Sequence, residues 1–172
     1  MGNISQEEKE RLEQIYQTFL NDDKIKKMKN VRMHRGSNCY EHSFKVAKKA
    51  IHLANRSSHK NLKFEVILIG AILHDYYLYD WRDDKSKRKR HGRNHPLIAS
   101  ENAAEDFKIS ADVRKIIETH MWPINMKLYP KTREAKIVSI CDKAVSLGES
   151  LTSIAFKKKK REKYLSYISC LF

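Results

Sequence analysis

Apolar residues along this chain recur at spacings of three and four rather than by alternation, so the elements they predict are helices. The first is predicted over Gln6–Asn21, with Leu12, Ile15, Tyr16, Phe19 and Leu20 on one face. A short basic helix or turn then leads to the loop His34-Arg35-Gly36-Ser37. Asn38 with Glu41 three residues on is a capping-box pattern. It starts a helix over 38–55 with Phe44, Ala47, Ile51 and Ala54 at core spacing, and places His42 in its first turn. The stretch FEVILIGAIL, within a helix predicted over 62–75, is almost continuously apolar, as in the middle of a bundle, and ends on the polar pair His74-Asp75.

After a loop over 76–94, Pro96 suits a first helical turn, so a helix is predicted from His95 to Phe107. Ser110 caps another over 111–121, stopped by Trp122-Pro123. Thr132 caps one through 147 with Ile137, Val138, Ile140 and Cys141 inward, and a basic tail over 152–169 reads as a last helix. With 5 Gly and 3 Pro, 172 residues and 41% hydrophobic content, the chain is expected to be all-α, a single-domain helical bundle.

No apolar run approaches the roughly 20 residues that span a bilayer, and the polar start lacks the apolar stretch of a secretory leader. A cytoplasmic protein with no membrane partner is the expectation. Three scattered cysteines, Cys39, Cys141 and Cys170, form no CxxC pair and read as reduced, mostly buried thiols. The net charge of +14 is concentrated in KIKKMKNVRMHR, RDDKSKRKRHGR and KKKKREK. Such a field draws anions: phosphorylated small molecules, nucleic acid or an anionic surface.

Candidate chemistry lies at the helix ends. His74-Asp75 closes a strongly apolar helix, where two polar side chains are costly to bury unless something satisfies them. A divalent metal would satisfy both, since neutral imidazole and carboxylate suit iron, manganese, zinc, cobalt or nickel. Taken singly, histidines such as His52 and His59 read as surface or core-edge residues.

The motifs HRGSNCYEHSFKVA, GAILHDYYLYDW, NHPLIASENA, HMWP and IVSICDKAVSLGE, carrying His42, His74-Asp75, His95, His120 and Asp142 in that order, resemble the HD-domain phosphohydrolases. The branch is the one with extra histidines for a second metal. The resemblance implies that His42, His74, Asp75 and Asp142 hold one divalent ion and that Asp75, His95 and His120 hold another, with Asp75 shared. It implies residues 1–33 as an N-terminal helical segment, 34–150 as the HD core and 151–172 as a basic C-terminal helix or tail of the same domain. It further implies hydrolysis of a phosphoester or phosphoanhydride, often in a nucleotide, with Asp75 and Asp142 as the catalytic carboxylates and two ions activating water.

One departure stands out. Where HD enzymes reading HDIGK carry a substrate-contacting lysine three positions after the aspartate, this chain has Leu78. Arg90 and Arg93, just before His95, are expected to supply that charge instead, because guanidinium groups match phosphate oxygens. His95 is preferred to His91 as the ligand, its direction being set by the helix that Pro96 starts. His34 either lines the substrate pocket or bonds a helix end, and Lys143 either neutralises substrate charge or pairs with a ligand carboxylate. Two other readings stay open: an RNA- or nucleotide-binding module without turnover, and a diiron oxygenase. The sequence leaves the oligomeric state open.

Overall fold

A computed structural model describes residues 4–33, 37–80 and 85–169, the stretches 85–90 and 152–169 by their backbone alone. Its described residues form helices α1 (Gln6–Asn21), α2 (Asp23–Lys26), a 3-10 turn (Lys27–Asn30), α3 (Cys39–Arg56), α4 (Phe64–Leu73), α5 (Lys85–Phe107), α6 (Ala111–Thr119) and α7 (Arg133–Ser169). The fold is all-α.

The caps read from sequence close the helices they were assigned to. Asn38 Oδ1 accepts from the Glu41 amide at 2.9 Å, Ser110 Oγ from Val113, and Thr132 Oγ1 from Ala135 at 3.2 Å, and Ser5, which was not read as a cap, accepts from the Glu8 amide. Each removes an otherwise orphaned N–H from a helix start. Helix α4 is the centre: α1, α3, α6 and α7 pack around it, and α5 lies against α6. Ile67, Ala71, Ile72 and Leu73 are fully buried there, which explains its apolar run.

Gly70 permits a close approach of α4 to α6. A Cβ at that position would sit 2.7 Å from Ile116 Cγ2, so a side chain would push α6 away from α4. Gly70→Ala is therefore expected to destabilise the protein by about 1–3 kcal/mol through overpacking, measured by denaturant unfolding.

Three expectations are corrected. Helix α5 starts at Lys85, ten residues before His95, and Pro96 lies inside it. The Lys- and Arg-rich stretch read as loop consists largely of good helix formers, and they carry the helix through Pro96 although proline has no N–H to give to Gly92 O. The helices read over 132–147 and 152–169 are one 37-residue helix, α7, continuing through Gly148. Ile137, Val138 and Cys141 face inward, but Ile140 is 61% exposed, because at about 100° per residue it lies outside the arc that those three span.

Cys39 and Cys141 are buried, Cys39 Sγ lying 3.2 Å from the Tyr77 hydroxyl; Cys170 lies outside the described residues. Part of the first basic segment is neutralised locally, Lys24 by Asp106 and Arg32 by Asp80. Among the described residues, no helix is long and apolar enough to cross a membrane.

Candidate metal centre

His74 and His120 occupy equivalent places, each the C-cap of its helix. Helix C-termini leave carbonyls unpaired, and each ring uses one: His74 Nδ1 lies 2.8 Å from Ala71 O and His120 Nδ1 2.7 Å from Ile117 O. His95 Nδ1 lies 2.8 Å from His91 O, one turn back along α5. A carbonyl only accepts, so all three rings must carry their proton on Nδ1. When neutral, each therefore presents a bare Nε2 to the interior.

These nitrogens converge on two carboxylates. Asp75, just beyond α4, directs Oδ2 at His74 Nε2 (3.4 Å) and Oδ1 at His95 Nε2 (3.3 Å) and His120 Nε2 (3.6 Å). Asp142, on α7, directs Oδ1 at His42 Nε2 (3.1 Å) and His74 Nε2 (3.7 Å). All six of these side chains are buried. Their coordinating atoms define two overlapping groups compact enough for one ion each, His42 with His74 and Asp142, and His74 with Asp75 and His120. His95 joins the second through the 3.0 Å approach of its Nε2 to that of His120.

Such a set is suited to a cation. His74 Nε2 is fully buried with no hydrogen-bond partner, and the bare nitrogens of His95 and His120 face each other across a distance that repels unless a positive charge sits between them. The electrostatics agree. Burial disfavours a charged His74, yet Asp75 and Asp142 outweigh it and lift its pKa to about 10. Burial likewise opposes a charged His42, and Asp142 and Glu149 more than compensate, raising it. His120 is pushed well below its usual value by burial and by the neighbouring His74 and His95. Despite burial, the histidines hold Asp75 and Asp142 well below the ordinary carboxylate range. Two anionic carboxylates among four inward-facing imidazoles fit a first-row divalent ion, and Asp75 turns one oxygen toward His74 and the other toward His95 and His120.

A cavity of about 210 Å³ opens on Asp75, His95, His120 and Asp142, with Lys143 and Ser146 at its side and Met33, Met121 and Ile124 at its rim. Larger clefts of about 490 Å³, beside Phe64 and Phe107, and 530 Å³, between α1 and α3, contain none of the six residues. Lys143 Nζ donates to His120 O and, at 3.0 Å, to Asp142 Oδ2, so it supports the carboxylate while lining the cavity. Arg93 is exposed. Two positions from both His91 and His95, it projects from the far side of α5 and the structure does not bring it to the cavity. His34 and the side chain of Arg90 lie outside the described residues.

Sequence reasoning missed two parts of the site. Glu149 Oε2 accepts from His42 Nδ1 at 3.1 Å while its Oε1 accepts from Lys45 Nζ at 2.8 Å, which orients the one ring that no carbonyl fixes. The signal was present: Asp142, Ser146 and Glu149 follow each other at four and three residues along α7, one face of a helix. Glu149→Ala is expected to keep the fold and weaken metal binding about 10–100-fold, measured by competition with a chelating dye. The second is an aromatic wall in which His91 stacks on His95 (4.5 Å between centroids) and its Nδ1 meets the Tyr79 hydroxyl at 3.0 Å, beside Tyr77. His91 is thus a neighbour of the carboxylate cluster rather than a member of it.

A helical bundle holding a buried His/Asp set suited to divalent ions has the makings of a metal-binding domain. The family model described as HD domain matches residues 39–146, well over half of the chain, and the chain belongs to the HD-domain family. Comparison with curated proteins and with solved structures gave no match.

Proposed function

We propose that this HD-domain protein is a metal-dependent phosphohydrolase that cleaves a phosphoester or phosphoanhydride in a small phosphorylated compound, a nucleotide being the class we put first. The observation that carries the reading is the set of imidazoles locked in one tautomer with Nε2 turned toward Asp75 and Asp142 at the floor of an open cavity. His42, His74, Asp75 and Asp142 would hold one ion, and Asp75, His95 and His120 the other. Bound there, the ions supply Lewis-acid chemistry: they lower the pKa of water and neutralise charge on the phosphoryl group.

The chain's own residues do the rest. Asp75 and Asp142 are ionised, so they hold cations and are the nearest groups to accept a proton from the attacking water. Lys143 Nζ, already 3.0 Å from Asp142 Oδ2, is the described cation nearest the cavity floor and supplies a phosphate contact where Leu78 cannot. The cavity is smaller than the roughly 300–1,000 Å³ of drug-sized sites, so it takes the phosphoryl group, while the organic part extends past Met33, Met121 and Ile124.

Phosphate release from a panel of nucleotides, sugar phosphates and phosphodiesters, in Mn²⁺, Co²⁺ or Zn²⁺, tests this. Turnover of at least one phosphorylated compound that stops on chelation is the expected result, and Lys143→Met should raise its KM about 10–100-fold, as loss of a charged hydrogen bond does. Metal-bound protein inert toward every phosphorylated compound, or consuming oxygen instead, would contradict the proposal.

A further inference from the structure

The chain that leaves α4 does more than carry Asp75. Residues 76–80 run antiparallel to α5: Asn102 Nδ2 donates to Tyr76 O at 3.1 Å, the Tyr76 hydroxyl donates to Asp106 Oδ2 at 2.8 Å, and the Tyr79 hydroxyl meets His91 Nδ1 at 3.0 Å. That last bond forms with either tautomer of the ring, because a hydroxyl both donates and accepts. Leu78 takes the left-handed conformation, φ 53°, which a residue other than glycine keeps only where its surroundings hold it. On either side of it the Tyr77 and Tyr79 rings lie 4.9 Å apart, and both meet the His91 ring edge to face, at 4.9 and 5.7 Å. Arg32 fixes the far end of the segment through Asp80 at 2.8 Å.

What this arrangement holds is His95. His91 and His95 are four residues apart and so are neighbours on one face of α5. Their rings stack, with 4.5 Å between centroids and 23° between planes. The bond from His95 Nδ1 to His91 O fixes that nitrogen but leaves the ring plane free to swing about it. The stacked face of His91 sets the plane, and with it the heading of His95 Nε2, 3.3 Å from Asp75 Oδ1 and 3.0 Å from His120 Nε2. The helix gives less support here than elsewhere, since Pro96 in the same turn lacks the N–H that would tie it to Gly92 O. His74 and His120, by contrast, pack edge to face on each other, 4.9 Å between centroids, at the C-caps of α4 and α6.

We infer that Tyr79 and His91 are positioning residues for the ion of the Asp75, His95 and His120 half: acting through the plane of the His95 ring, they set how tightly that half holds its metal. The inference rests on the two-ion part of the function proposed for this centre. A ring already locked in its binding orientation loses less freedom on coordination, so its support raises affinity. The segment after α4 thus serves this half twice, Asp75 as ligand and Tyr79, four residues on, as the anchor of the ring that backs His95. The His42 half is oriented from elsewhere, by Glu149 on α7, so loss of the Tyr79–His91 pair acts on one ion and spares the other.

Calorimetric titration of the full metal-free chain with Mn²⁺ tests this, the relevant binding step being the one that His95→Ala abolishes. His91→Ala should weaken that step about 10–100-fold, the range for losing a residue that orients a ligand, and Tyr79→Phe should weaken it toward the lower end of that range. The other step and the helicity should stay as in wild type. His91→Phe keeps a stacking face without the nitrogen, so it should recover part of the loss. Tyr79→Phe added to His91→Phe should cost nothing more, because the hydrogen bond is already gone. Both steps weakened alike in His91→Ala, or neither, overturns the inference, as does His91→Phe binding no tighter than His91→Ala or a Tyr79→Phe effect that persists beside His91→Phe. Wild type that takes up a single ion overturns it together with the two-ion reading. These readouts need no turnover, so a protein inert toward phosphorylated compounds that still shows the expected pattern supports the inference and contradicts only the hydrolase reading.

Discussion

Replacing Asp75 by asparagine is expected to empty both halves of the centre and to lower phosphate release by at least about 10³-fold, since charge stabilisation at the reacting group is lost with the ions. Asp75 divides its two oxygens among three of the rings, Oδ2 toward His74 and Oδ1 toward His95 and His120. Asparagine keeps the shape but removes the charge, and it turns one of those oxygens into an N–H donor that can satisfy a bare Nε2. The variant should therefore fold and bind no metal. His95→Ala makes the contrast, because it leaves His42, His74, Asp75 and Asp142 in place and should retain one ion per chain. Elemental analysis of the two variants beside wild type checks both results.

Metal loading should raise the melting temperature by roughly 10–20 °C. Each ion at a hundred times its dissociation constant adds about 2.7 kcal/mol, and about 1 kcal/mol moves the midpoint 2–4 °C in a chain of this size. The gain should grow with pH. In the metal-free protein the pKa of His74 is raised to about 10 and that of His42 is also raised. Stability from these protonated rings is fully present below their unfolded value of about 6.5 and is lost as pH climbs toward about 10. Asp75 and Asp142 are lowered, so their contribution is present above the unfolded carboxylate value of about 3.9 and is lost in acid. A metal takes the Nε2 lone pair that the proton holds, so loading releases protons and tightens with pH. Melting curves at pH 6 and pH 9, with and without Mn²⁺, should show the larger shift at pH 9, and a shift independent of pH would contradict the competition.

Local signals were the legible part of this fold. Asn38, Ser110 and Thr132 cap as their side chains dictate, and the apolar run of α4 marks the buried centre, because each depends on a few neighbouring residues. Where a helix continues or which way a residue faces depends on tertiary packing instead. Pro96 and Gly148 look like boundaries locally, but the surrounding sequence carries α5 and α7 through them. Ile140 looks like core until the packing leaves it exposed on α7. In the site, the residue types and order of the six His and Asp pointed to metal chemistry. The tautomers set by Ala71, Ile117 and His91 carbonyls, and the support from Glu149, come from helix ends and long-range contacts that no spacing displays.

The central claim is that His42, His74, Asp75, His95, His120 and Asp142 hold two metal ions with Asp75 between them. Anomalous diffraction from crystals of the Mn²⁺-loaded protein tests it most directly. Two peaks are expected, one bounded by His42, His74, Asp75 and Asp142 and the other by Asp75, His95 and His120. Peaks lying elsewhere, or none at this cluster in fully loaded protein, would contradict it.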